Sequence, residues 1–322
     1  MRGLKDHITR HLTKAKVRSP SLVERLGYGR DARLLIVHAD DVGMIRSVNA
    51  ACFHALATGL VNSASIMVPC GCFPEAAAFA REHPELDFGI HLTLTSERPT
   101  YRWGPVTSPE EVPSLVGSDG YFHRPWIEEI RINPYEAELE LRAQIEKGYA
   151  VGLRPTHFDS HHARLQSTDR TLFEIYLRLG REYGLPVLNA HNWLAAAPSR
   201  YDLLGRDDIV IDRVITIEPD IAAEHWPQFY RRAIETLAPG VTEFLIHPGW
   251  NDAELRAFSQ NSRNWGAEWR QRDFDFFTSD EFRHLLVRHE LRLITWREIG
   301  ERLLRHSSSN GSGPRQPRQG EA

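Results

Sequence analysis

Six polar residues stand where strand-like segments run out. Asp40 and Asp41 follow the apolar run Leu34–Ala39 in HADDVGM, His91 lies in GIHLTLT, Asp159 and His161 close PTHFDSHH, and His247 closes FLIHPGW. Ionisable groups at the ends of buried strands are costly unless they are paired or hold a metal. Singly, each has an ordinary explanation. The chain has 16 histidines, so a lone imidazole beside a strand is usually a satisfied structural group, and two adjacent carboxylates in a turn are usually solvated or capping. Repeated at the ends of several strands, they call for one shared explanation, and a divalent cation supplies it. Two imidazoles and one carboxylate leave coordination positions open for water and substrate. Such an ion lowers the pKa of its water and polarises a carbonyl oxygen. A second carboxylate beside it can take a proton, and a histidine on the far side can return one to a leaving group.

This chemistry needs a scaffold that gathers strand ends. The pattern predicts strands at Leu34–Ala39, Ser63–Val68, Phe88–Leu94, Thr156–Ser160, Pro186–Asn189, Asp208–Ile217, Glu243–Ile246 and Leu291–Thr295. Helices are expected between most of them, the first capped by Ser47 and ended by Gly59, another opened by Pro74, and a long amphipathic one opened by Pro134. This α/β alternation reads as a distorted or incomplete βα barrel, whose sites form at the C-terminal ends of the strands. A doubly wound open sheet is the alternative. No G-x-G-x-x-G follows the first strand, so nothing supports a dinucleotide site. Residues 1–32 read as an N-terminal extension, 33–305 as one domain and 306–322 as a disordered Ser/Gly/Pro/Gln-rich tail. The domain is interrupted at about 96–133 by an aromatic-rich insertion that suits a substrate lid.

The balance of the chain narrows the function classes. It has 322 residues, a net charge of −4, 41% hydrophobic and 25% charged residues, ordinary for a soluble globule. Nothing marks nucleic acid as a partner, and no apolar run reaches the ~20 residues that span a bilayer. Met1–Arg18 carries six Lys/Arg and one Asp and reads as a surface helix or frayed extension rather than a secretory signal. Three cysteines, Cys52, Cys70 and Cys72, give no disulfide framework, so the expected compartment is a reducing cytoplasm.

The ordered motifs resemble the YdjC-like carbohydrate deacetylase family, of the chitooligosaccharide and hopanoid-pathway deacetylase type. The matching pieces are ADD with a following glycine, GxxNSAS after the first helix, GIHLTLT, PTHFDSHH and HPG, from about Leu34 to His247. The resemblance implies a distorted barrel of the polysaccharide deacetylase type. It implies that Asp41, His91 and His161 hold one divalent ion, Mg²⁺ or Zn²⁺, that Asp40 is the general base and that His247 is the general acid. The reaction implied is hydrolysis of the acetamide of an N-acetylated carbohydrate to acetate and an amino sugar. The chain departs from the family's pattern at Val42, and at Ala163 and Arg164 after DSHH, which implies a different sugar subsite.

On that reading, Trp103, Trp126 and Trp250 are candidates to stack on a sugar ring, with ordinary loop packing as the alternative for each; Trp265, Tyr101 and Tyr121 carry the same ambiguity. Asp159 either orients a histidine or caps a turn. Asn49 lies near the site, and His38 and His157 read as structural. The partner expected is an N-acetylated sugar or glycan, with no nucleic acid and no transmembrane segment; a homodimer is left open. Two rival functions are a metal-dependent hydrolase of another bond, such as a phosphoester, and a catalytically silent carbohydrate-binding protein.

Overall fold

The computed structural model describes residues 20–125, 131–167, 169–260 and 262–304. Seven parallel strands form one curled sheet: β1 Arg33–Val42, β2 Ser63–Ile66, β3 Phe88–Leu92, β4 Phe158–Ser160, β5 Arg213–Ile215, β6 Gly240–Ile246 and β7 Arg292–Leu293. Their order is β4-β3-β2-β1-β6-β5, with β7 beside the start of β1. Parallel bridges Phe158↔Val187 and Ala190↔Ile211 carry the wall onward from β4 toward β5. The result is the distorted barrel that the alternation of elements predicts, not an open doubly wound sheet.

Both faces of β1 are buried, which explains its unbroken apolar run. Leu35, Val37 and Ala39 pack into the large core under the helices. Leu34 and Ile36 face the other way, into a smaller cluster with Val241, Leu188, Ile211 and Trp296. Leu22, Val23 and Leu26, on and beside the short helix Leu22–Arg25, join that cluster and close its base. Continuing the alternation along this second face, Ile36 is followed by His38 and then Asp40. The inside of the barrel is therefore apolar at the base and ionisable toward the strand ends.

Several elements are shorter than the sequence pattern predicts. β2 ends at Ile66 and β3 at Leu92. Pro186–Asn189 contributes a bridge rather than a strand, in keeping with the N–H that Pro186 lacks. Ser47 does not cap the helix that follows β1, which spans Arg46–Ala57 with Ile45 as its N-cap. Its hydroxyl instead contacts the carboxylates of Asp252 and Glu254. Two helices that the pattern does not announce, Ala253–Ser259 and Ala267–Phe277, cover the rim near His247. The expected extension and tail fall largely on residues 1–19 and 305–322, outside the described residues. Among the described residues, no helix is long and apolar enough to cross a membrane.

Candidate metal centre

Adjacent residues of a regular strand point to opposite faces, so Asp40 and Asp41 cannot both reach one site without a backbone irregularity. β1 supplies one. Its register with β2 shifts between Ala39 and Val42, and Asp41 has φ 70°, a left-handed conformation that aspartate tolerates better than most residues. A bulge of this kind re-aims side chains, and here both carboxylates approach His91. Asn49 fixes the turn that follows: Gly43 N–H donates to its Oδ1 at 2.6 Å, while its Nδ2 donates to Glu75 and to the Cys72 carbonyl. Gly43 is required there, since its φ is 94° and a Cβ would lie 3.1 Å from the Met67 carbonyl oxygen.

Three donor atoms converge on one point. Asp41 Oδ1 lies 3.1 Å from His161 Nδ1 and 3.6 Å from His91 Nε2, and the two ring nitrogens are 3.3 Å apart. All three residues are buried. Asp41 Oδ1 makes no directed hydrogen bond and faces the two ring nitrogens, an arrangement that a cation between them would complete. Each imidazole is held at its other nitrogen by a carboxylate. His91 Nδ1 is 2.9 Å from Asp159 Oδ1, its direct neighbour in the β3–β4 register. His161 Nε2 is 3.2 Å from Glu97 Oε2. Carboxylate–histidine pairs of this kind fix the ring nitrogen that faces a metal. The donor set of one oxygen and two nitrogens therefore fits a divalent cation.

The surrounding carboxylates favour positive charge at the same point, carried by the His161 ring itself when it is protonated. Burial alone would lower the His161 pKa, yet Glu97 and Asp41 raise it to about 10. Against its own burial, Asp41 is held well below the ordinary carboxylate range by Arg270 and His161. Arg270 is itself buried, and its guanidinium meets Asp41 Oδ2 at 2.5 Å. Arg270 thus occupies one oxygen of Asp41 and leaves the other to face the histidines.

Asp40 Oδ2 borders this group, 3.9 Å from His91 Nε2 and 3.7 Å from His247 Nε2. His247 is set by its own backbone, whose N–H donates to Asp273 Oδ2 at 2.9 Å, and the other oxygen of Asp273 accepts from Tyr230. Burial holds the His247 imidazole at about 4, with Arg270 also lowering it and the two aspartates opposing. The site thus offers a cation position, a carboxylate next to it, and a neutral imidazole within reach of that carboxylate.

The five residues singled out from the motifs, Asp40, Asp41, His91, His161 and His247, are brought together. Of the aromatics, Trp103 is almost wholly buried; its Nε1 donates to the Thr95 carbonyl, and its ring meets His161 edge-on at 6.0 Å. It forms a wall behind His161. Trp250 is half-buried and packs on Phe274 at 4.2 Å. Trp126 lies outside the described residues. Trp265 stacks on Trp269 and approaches His247 edge-on at 6.4 Å. Asp159 orients a histidine rather than capping a turn. Glu97, Arg270 and Asp273 escape the motif reading: they come from the insertion and from an unannounced helix, with no local pattern around them.

The profile of the YdjC-like protein family matches residues 34–288. A carbohydrate deacetylase of Brevibacillus brevis is 31% identical over 278 residues, covering 83% of this chain and 99% of that protein. Another, of Enterococcus faecalis, is 38% identical over 278 residues, covering 82% of this chain and 97% of that one. A crystal structure from Enterococcus faecalis, of a protein named for cellobiose-phosphate cleavage, matches with a TM-score of 0.69 and 28% identity. That match covers 83% of this chain and 99% of the other.

Proposed function

Since the chain belongs to the YdjC-like protein family, we propose that it is a metal-dependent carbohydrate N-deacetylase, cleaving the acetamide of an N-acetylated sugar to acetate and a free amine. Curated relatives that match across most of their length carry the name carbohydrate deacetylase. The observation that carries the reading is the convergence of Asp41 Oδ1 with two histidine nitrogens, with Asp40 and His247 beside it.

Asp41, His91 and His161 would hold the ion. When bound, it would activate a water and polarise the amide carbonyl; two nitrogen donors favour zinc, and magnesium is the alternative. Asp40 takes one proton from the attacking water as oxygen adds to the carbonyl carbon. The C–N bond then breaks, and the amine nitrogen leaves with a proton from His247. Burial lowers that imidazole to about 4, which favours its neutral form before turnover. Its proton must therefore arrive during turnover, and Asp40 Oδ2, 3.7 Å from His247 Nε2, is the group placed to hand it over. One proton passes from water to Asp40 to His247 to the amine, and both side chains end as they began.

The test is acetate release. Protein loaded with Zn²⁺ or Mg²⁺ is incubated with N-acetylated mono- and oligosaccharides, and acetate and free amine are quantified. The proposal expects both in equal amounts from at least one sugar, and suppression by a chelator. Sugar binding without acetate from any member of the panel would favour a silent binding protein and overturn it.

A further inference from the structure

Beneath the proposed base lies a second buried imidazole that the mechanism above leaves idle. His38 has no exposed surface and stands two residues before Asp40 on the same face of β1. Its Nδ1 lies 2.9 Å from Ser63 Oγ, in the strand register partner, and its Nε2 lies 3.1 Å from Ser65 Oγ. The same Nε2 is 3.3 Å from Asp40 Oδ1 and 3.1 Å from Asp159 Oδ2. Asp40 Oδ1 is buried and makes no directed hydrogen bond, so the His38 ring meets it as a close polar contact. Asp159 turns its other oxygen to His91.

We infer that His38 is a positioning residue for the hydrolysis proposed above. Its Nε2 abuts Asp40 Oδ1, so that Oδ2 faces His91 and His247, and it links this base to the carboxylate that orients His91. One imidazole thereby sets the base and the ion site in a common register. The inference rests on the deacetylase reading for its consequence in turnover and on geometry for the positioning itself.

The surroundings suit a ring that carries charge. Burial opposes it, but contact with Asp159 and Asp40 raises His38 well above its ordinary range. Glu243 does not take the imidazole for itself: burial pushes its carboxyl up to about 8, and it accepts from Trp296 Nε1 at 2.8 Å. The neighbouring His157 meets His38 edge-on at 5.0 Å, and burial together with His38 lowers it to about 4. His38 Nε2 thus stands between Asp40 and Asp159. A ring that only filled space would need neither oxygen contact.

Three substitutions separate positioning from packing. His38→Gln can place an amide N–H near the position of Nε2 and keep a donor for Asp40 and Asp159. His38→Asn reaches only the Ser63 side, and His38→Leu reaches neither. The inference expects His38→Gln to keep kcat within about tenfold of the parent, while His38→Asn loses on the order of 10²-fold, the effect of a base displaced by about 1 Å, with KM little changed. Crystal structures of the variants should show the Asp40 carboxylate in place in His38→Gln and turned away in the other two. An unmoved Asp40 in His38→Asn overturns the inference, as does His38→Asn turning over as fast as His38→Gln. Should the parent release no acetate from any sugar, the deacetylase reading fails, and the position of Asp40 in the variant structures still decides the role of His38. The Gln and Asn variants preserve polarity and much of the volume, so the comparison survives even if His38→Leu does not fold.

Discussion

Replacing Asp159 with asparagine should weaken divalent-ion binding although Asp159 is not one of the three proposed ligands. Its Oδ1 meets His91 Nδ1 at 2.9 Å, and its Oδ2 accepts from Ser65 Oγ at 2.7 Å. The first contact keeps the His91 proton on Nδ1 and leaves the Nε2 lone pair facing Asp41 Oδ1. An asparagine oxygen can accept from His91, but its NH₂ group then points at Ser65 and His38, where an acceptor now stands. Flipped, the amide N–H opposes His91 Nδ1 and drives the ring proton to Nε2, where the ion should sit. Loss of such an orienting carboxylate typically costs about 10–100-fold in metal affinity, about 1.4–2.7 kcal/mol. Glu97→Gln perturbs His161 by the same logic at 3.2 Å, nearer the rim, so it should fall at the low end of that range. Calorimetric titration of apo protein with Zn²⁺ measures both. Unchanged affinity in Asp159→Asn, or a larger loss in Glu97→Gln, would refute the orientation argument.

Arg270→Ala should destabilise the fold by about 3–5 kcal/mol, because it leaves the buried Asp41 carboxylate without its guanidinium partner; denaturant unfolding of apo protein reads this, and unchanged stability contradicts the pairing. Glu243→Gln should change how stability depends on pH. Burial raises Glu243 to about 8 from an ordinary 4.5, so the folded chain retains a proton that the unfolded chain sheds. The parent therefore loses stability, at up to about 1.4 kcal/mol per pH unit, as pH rises from the unfolded value to the folded one. The amide variant keeps the acceptor for Trp296 and has no such dependence. Its advantage in melting temperature should be small at pH 5, widen through neutrality and level off above pH 8; a gap independent of pH would show that Glu243 ionises normally.

The catalytic candidates were legible because each closes a strand-like run, and barrel geometry brings strand ends together. The helper residues were not. Glu97 lies five residues past β3 in irregular chain, and Arg270 and Asp273 sit on a helix whose register against the site is set only by tertiary packing. His38 reads as structural when position alone is considered. Its spacing of two from Asp40 already placed both on one face, but the presence of Asp159 across two strands could not be read from β1. The bulge at Asp40–Asp41 is the other hidden feature. A bulge has no fixed sequence signature, and without it the two carboxylates would face opposite sides of the sheet. Trp103 shows another limit: an aromatic in a long insertion suggests a sugar platform, and only the structure shows its indole bonded to Thr95 and buried behind His161.

The division of labour between the adjacent aspartates is the central claim, and Asp40→Asn compared with Asp41→Asn tests it most directly. Zn²⁺ content and acetate release are measured on both purified variants. Asp40→Asn should retain the ion and the fold but lose ~10²–10⁴-fold in kcat, the usual contribution of a positioned general base. Asp41→Asn should lose the ion, since a neutral amide replaces the one anionic ligand. An ion lost from Asp40→Asn but kept in Asp41→Asn would reverse the roles, and near-parental turnover in Asp40→Asn would contradict the account.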